Sequence, residues 1–164
     1  MKTLFLGIDP GGSGGIALIG EGFAQAWKMG ETEADTADLL RTHQAAIRAT
    51  YIENVHSMPK QGVSSSFKFG RSYGFLRGLL IALQIPFEQI EPRVWQQRMG
   101  CRTHGDKNVS KAKAQQLWPH LRITHAIADA LLIAEACRRF HSQAGEIPAP
   151  KTPEEPLLLH RLFA

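Results

Sequence analysis

Hydrophobic and polar positions change period several times along the chain, and each change marks an element. Residues 3–8, 15–19 and 23–29 are compact apolar runs, separated by Gly11-Gly12-Ser13-Gly14 and by Gly20-Glu21-Gly22. Connections this short and glycine-rich predict three antiparallel, neighbouring strands. Residues 31–48 read as a helix, with Thr32 as a cap, acids in the first turn, and Ala37, Leu40 and Ile47 on one face. Residues 50–53 predict a buried strand whose neighbour is parallel, because a helix precedes it.

Residues 56–66 carry Pro59, Gly62 and a run of serines and read as a loop. A helix follows over 66–83, where Phe69, Tyr73, Leu76, Leu80 and Leu83 recur at helical spacing. Gly70, Gly74 and Gly78 fall at every fourth position of it, which would let another backbone approach closely. A short strand at 86–90 precedes a short helix at 91–98 with Pro92 in its first turn. Beyond a polar connector at 100–107, helices are expected over 110–117 and 124–141. Pro148, Pro150, Pro153 and Pro156 exclude regular structure after that. Residues 1–141 therefore read as one domain and 142–164 as a Pro-rich tail, whose Leu157-Leu158-Leu159 and Leu162-Phe163 could dock on the body or on a partner. The order of elements is that of an α/β, ribonuclease H-like fold: a five-stranded mixed sheet, three strands antiparallel and then two parallel, with helices on both faces.

Composition narrows the class. The 164 residues are 43% hydrophobic and 21% charged, ordinary for a soluble globular domain and unlike a fibrous or disordered chain. No apolar run approaches the roughly 20 residues of a membrane helix. The first residues lack a basic stretch leading into a signal core, so a cytoplasmic protein without a membrane partner is expected. Cys101 and Cys137 have no metal-type spacing and read as reduced filler thiols. The net charge of +4 is unevenly spread: from His56 to Lys113 there are ten Lys or Arg against three acids, and elsewhere nine against twelve. A basic middle region suits a polyanion, although a solvated basic surface would look the same.

Three carboxylates stand out against their surroundings. Asp9 closes an apolar strand onto glycines that would leave a phosphate or metal unobstructed. Glu53 ends the apolar run Thr50-Tyr51-Ile52, where a buried charge is costly unless paired or metal-bound. Asp129 lies in an Ala/Leu-rich helix with His125 one turn earlier on the same face. His125 could ligate a metal, orient water or carry a proton, or could simply cap the helix. Strand ends of an α/β sheet gather distant acids where ligands bind, and acids without a thiol or histidine cluster suit Mg²⁺ or Mn²⁺. A metal-dependent enzyme acting on phosphates is the reading of these residues.

Gly7-Ile8-Asp9-Pro10-Gly11, Tyr51-Ile52-Glu53, the helix from Phe69-Gly70 to Gly78, and Ala128-Asp129-Ala130-Leu131 occur in an order that resembles the RuvC-type Holliday junction resolvases, nearer the phage and plastid branch than the housekeeping bacterial one. The resemblance spans most of residues 3–140. It implies a homodimeric DNA endonuclease without a small-molecule cofactor, in which Asp9, Glu53 and Asp129 bind two divalent cations per site. Cations about 4 Å apart would cut four-way or branched DNA to 5′ phosphate and 3′ hydroxyl ends. The family's fourth ligand lies one turn before the position of Asp129. Bacterial members carry it three residues upstream, at Ala126 here; the phage and plastid branch has an aspartate four upstream, where this chain has His125. Lys111 and Lys113 are the expected cations at the scissile phosphate and Lys107 a further DNA contact, and all three read otherwise as solvated surface lysines. The loop after the second acid would open the junction with His56, Met58 or Phe67, while Lys60, Lys68, Arg71 and Arg77 hold phosphates. Met58 and Phe67 could instead be core residues. Phe69, Tyr73, Phe75, Trp95 and Trp118 are assigned to packing. The glycine-stepped helix or the last helix would supply the dimer contact.

Other readings compete. A second nuclease of the same fold would cut branched DNA or RNA–DNA hybrids without junction preference. A junction-binding protein with a weakened metal site is suggested by His125. An actin-like ATPase is suggested by the first glycine loop alone, but needs two duplicated domains that 164 residues cannot supply.

Overall fold

The computed structural model describes residues 2–55 and 62–143, so His56, Met58, Lys60 and nearly all of the expected tail lie outside the described residues. β1 (Leu4–Asp9), β2 (Gly15–Gly20) and β3 (Phe23–Lys28) form an antiparallel meander. α1 (Glu33–His43) begins at a capping box: Thr32 Oγ1 accepts the Asp35 N–H at 3.1 Å, and the Asp35 carboxylate accepts the Thr32 N–H at 2.9 Å. β4 (Ile47–Glu53) then runs parallel to β1, and β5 (Glu88–Ile90) parallel to β4. The five strands lie in the order β3-β2-β1-β4-β5, three antiparallel and two parallel, as the sequence predicts.

Helices cover both faces. Leu4, Leu6 and Ile8 of β1, with Ile16, Leu18 and Ile52, pack against Leu40 of α1 and Leu76 and Leu80 of α2 (Val63–Ala82). The alternate residues Phe5, Ala17, Ile19, Ala49 and Tyr51 face the other way. There they meet Trp95 of α3 (Pro92–Met99), Ala114 of α4 (Lys107–Leu117) and Leu131 of α5 (His125–Gln143). Every residue from 131 to 137 is buried, because α5 lies on the sheet beneath α3 and α4. Among the described residues no helix is long and apolar enough to cross a membrane.

The boundaries differ from the sequence expectation in instructive places. The first helix stops at His43 rather than 48; a 3₁₀ turn (Gln44–Ala46) intervenes, and Ile47 already pairs with Leu4. Gln44 Nε2 donates to Leu83 O at 2.6 Å, tying that turn to the end of α2. Ile47 thus faces the core from a strand instead of completing a helical stripe. α2 starts at Val63, so the serines expected in a loop form its first turn, where short hydroxyl side chains are tolerated. α4 begins at Lys107 instead of 110 because the Asp106 carboxylate caps it, accepting the Asn108 N–H at 2.9 Å. β5 loses its first two residues, Pro86 having no N–H for the ladder.

Candidate active site

Strand alternation puts the first two acids on one face. Phe5 and Gly7 of β1 lie beside Ala49 and Tyr51 of β4, and one further step brings Asp9 beside Glu53 at the carboxyl ends of both strands. That face is the one α5 covers. A Cβ on Gly7 would run into Ala130 O and Ala134 N, so only glycine lets α5 lie this close to β1. Gly15 plays the same part on β2, where a Cβ would meet Ala126 O at 2.5 Å. The close seat of α5 brings Asp129 to Asp9, although 120 residues of sequence separate them.

The three carboxyl groups feel one another. Burial pushes the Asp9 carboxyl up to about 8, helped by the charges of Glu53 and Asp129 and opposed by Lys107. Burial likewise raises Glu53 to about 7; the Trp95 hydrogen bond opposes this, Asp129 and Glu91 add to it, and Lys107 again lowers it. Asp129 is raised by burial against a hydrogen bond from Ser110 and the charges of Lys107 and His125. Its Oδ1 is buried without a hydrogen-bond partner. Burial and mutual repulsion thus favour the protonated acids, and a cation placed among them would favour their ionised forms.

Two side chains finish the geometry. Trp95, 1% exposed on α3, donates its indole N–H to Glu53 Oε2 at 2.6 Å, leaving Oε1 free. The sequence assigns Trp95 to packing, and it does pack; its ring nitrogen has this further task, which the residue type alone does not reveal. Lys107, at the first position of α4, is the one cation among the described residues that acts on all three acids. Lys111, expected at the scissile phosphate, is half-buried one turn further along α4 and contributes to none of these shifts. Lys113 acts instead on Cys101, whose thiol burial pushes up to about 11. Cys137 is raised still further by burial, so both thiols are inert filler.

The remaining predicted residues lie on α2 or outside the described residues. Phe67 is 70% exposed and is no core residue. Lys68, Arg71 and Arg77 are also exposed, and Arg77 lies over the Tyr73 ring at 5.9 Å. Tyr73 and Phe75 pack on the core, and Phe69 stacks on Tyr73. His125 is exposed at the start of α5, close enough for its charge to act on Asp129.

The donor set fits a hard divalent cation: three mutually repelling, desolvated carboxyls, one with an orphaned buried oxygen. Among the described residues no group of three or more His, Cys, Asp or Glu side chains is already set to hold a metal ion. Electrostatic proximity gathers the acids.

Sheet order and helix placement define a ribonuclease H-like fold. Among solved structures the chain is similar to Thermus thermophilus RuvC, with a TM-score of 0.59 and 18% identity over 87% of this chain and 97% of that one. It is equally similar to T. thermophilus RuvC in complex with Holliday junction substrate, at TM-score 0.59 and 17% identity over 87% and 96%. No protein-family model matches the sequence, and no curated protein matches it either. Identity this low carries the fold and leaves activity to be argued from the site.

Proposed function

We propose that this protein is a structure-selective DNA endonuclease of the RuvC type that resolves four-way junctions by paired cuts. The observation that carries the reading is the meeting of Asp9, Glu53 and Asp129 at the carboxyl edge of the sheet, each raised by burial and two of them by another's charge. Asp9, Glu53 and Asp129 would hold Mg²⁺ or Mn²⁺, which when bound polarises the scissile phosphate and lowers the pKa of the attacking water. Trp95 holds Glu53 in place by its N–H. Lys107 brings a positive charge to the same point, where it offsets the acids and attracts the phosphate. His125 acts on Asp129 from one turn away and stands where an acidic ligand is expected.

Paired cuts need two sites related by a two-fold axis. Of the two helices that could form the contact, α5 buries residues 131–137 and exposes the apolar Phe140 only near its end, whereas α2 exposes Val63, Phe67 and Ile81 along one line with Gly70, Gly74 and Gly78. A second copy laid against that line would complete a homodimer. The basic residues between 56 and 113 would carry the junction arms.

The test is a mobile four-way junction, end-labelled on each strand in turn, with Mg²⁺ or Mn²⁺. Symmetric paired nicks that disappear in Asp129→Asn while binding persists are expected. Equal cutting of a flap or an RNA–DNA hybrid would instead make this a less selective nuclease of the same fold. His125 favours one other reading, a junction-binding protein with weak cleavage. Binding without any nick in either metal, with cleavage gained by His125→Asp, would establish that reading.

A further inference from the structure

We propose that the cleft between α3 and the connector leading into α4 binds a backbone phosphate of the DNA, separate from the phosphate being cut. The inference rests on the protein acting on DNA and names a contact that the acids and the α2 residues do not supply.

The cleft has a volume of about 380 Å³ and is lined by Arg93, Gln96, Arg102, Thr103, His104 and Gly105. None of these is acidic. Arg93 makes no hydrogen bond or ion pair among the described residues. Arg102 commits Nη2 to Gln97 Oε1 at 2.8 Å, which steadies the guanidinium and leaves its other N–H groups available. Asp106, the nearest acid in sequence, does not line the cleft, and its Oδ1 accepts both the Asn108 N–H and the Asn108 side-chain amide, at 2.9 and 3.0 Å. Two arginines, an imidazole and a hydroxyl around one hollow without a carboxylate suit a phosphodiester oxygen pair.

The backbone keeps the hollow open. His104 and Gly105 take φ of 46° and 93°, and the turn is closed by the Asp106 N–H on Thr103 O at 2.8 Å. A non-glycine residue in this region is strained and persists only when its surroundings hold it there.

Both walls are anchored at the acid site. Arg93 lies two residues beyond Glu91, which accepts the side-chain amide of Asn54, the neighbour of Glu53, at 2.6 Å. Gly105 lies two residues before Lys107, whose charge reaches all three acids. A strand laid over Asp9, Glu53 and Asp129 would meet this hollow next to the acids on the side of Glu91 and Lys107. An acidic protein segment would meet the same charges, but nothing would lead it to the acid edge.

The experiment compares wild type with Arg93→Ala/Arg102→Ala by fluorescence anisotropy, without divalent metal, on a four-way junction and on a linear duplex over a salt series. Arg41→Ala/Arg48→Ala, which removes equal charge toward the opposite end of the sheet, is the control. Loss of one phosphate contact lowers the slope of log K against log salt by about one and weakens binding roughly tenfold. The expected result is that change on both DNAs for the pocket variant, none for the control, and recovery of most of the slope by Arg93→Lys/Arg102→Lys. An unchanged slope, or an equal change in the control, would overturn the proposal even if the wild type cuts junctions. Conversely, a pocket effect on duplex in a protein that never nicks a junction would sustain the phosphate site and defeat the resolvase reading.

Discussion

Trp95 and Glu53 show how a single buried hydrogen bond can decide what a carboxylate does. A glutamate at a strand end has two equivalent oxygens and free torsions; an indole N–H at 2.6 Å removes the equivalence and leaves Oε1 for a ligand. Partners of metal ligands typically contribute 10- to 100-fold to metal affinity. Trp95→Phe keeps an aromatic ring in the core but loses the donor and some volume, so it is expected to fold with reduced stability and to bind Mn²⁺ at least about tenfold more weakly by isothermal titration calorimetry. Unchanged Mn²⁺ affinity would show that Glu53 needs no such restraint. Nothing in the sequence marks this residue: a tryptophan in a short amphipathic helix reads as core, and its partner is 42 residues away. Asp9, Glu53 and Asp129 were legible because a carboxylate in an apolar run is costly and so conspicuous. Lys107 was legible as a cation but not as the one facing the acids, since that depends on the Asp106 cap starting α4 a turn early.

At the scale of elements, α2 carries two surfaces with different purposes. One face, with Leu76 and Leu80, belongs to the core; the opposite face presents apolar residues at both ends and three glycines between them. A Cβ at Gly70, Gly74 or Gly78 would meet nothing within 4 Å, so the fold of the single chain has no use for these glycines. Each costs about 1 kcal/mol of helix stability relative to alanine. Gly74→Arg is therefore expected to leave the melting temperature of the monomer intact or higher while converting a dimer to a monomer by light scattering. Junction cleavage should then change from paired to single nicks. A dimer that survives the substitution would place the contact elsewhere. The glycine spacing was visible in the sequence, whereas its exposure was not, because periodicity gives a face without saying what lies against it. The end of α1 differs from the sequence expectation for a related reason: Ile47 fits a helical stripe and a strand equally well, and pairing with Leu4 decides it.

For the molecule as a whole, the gathered acids oppose stability. In the unfolded chain the carboxyls of Asp9 and Glu53 lose their protons near pH 4, and in the fold they keep them to about 8 and 7. Between those limits the folded state holds more protons, so raising the pH favours unfolding. Without divalent metal, the melting temperature should fall by about 5 °C or more from pH 5 to pH 8 in thermal scans, and Mg²⁺ should restore much of it at pH 8. Asp9→Asn should flatten the fall and abolish cleavage, the reverse of what a purely structural acid would do. A flat profile in the wild type would show that the acids do not share one desolvated site. The sheet order and the two helical layers were readable from element order, since each crossover and each hairpin restricts the topology. The fit of α5 on Gly7 was not, being a matter of atoms from opposite ends of the chain. That contact also governs timing during synthesis. β1 leaves the ribosome first, but its acid acquires no third partner until α5 has emerged and settled on Gly7. A nascent or truncated chain ending before Asp129 thus carries two of the acids without the third, so the site they form together exists only in a finished domain.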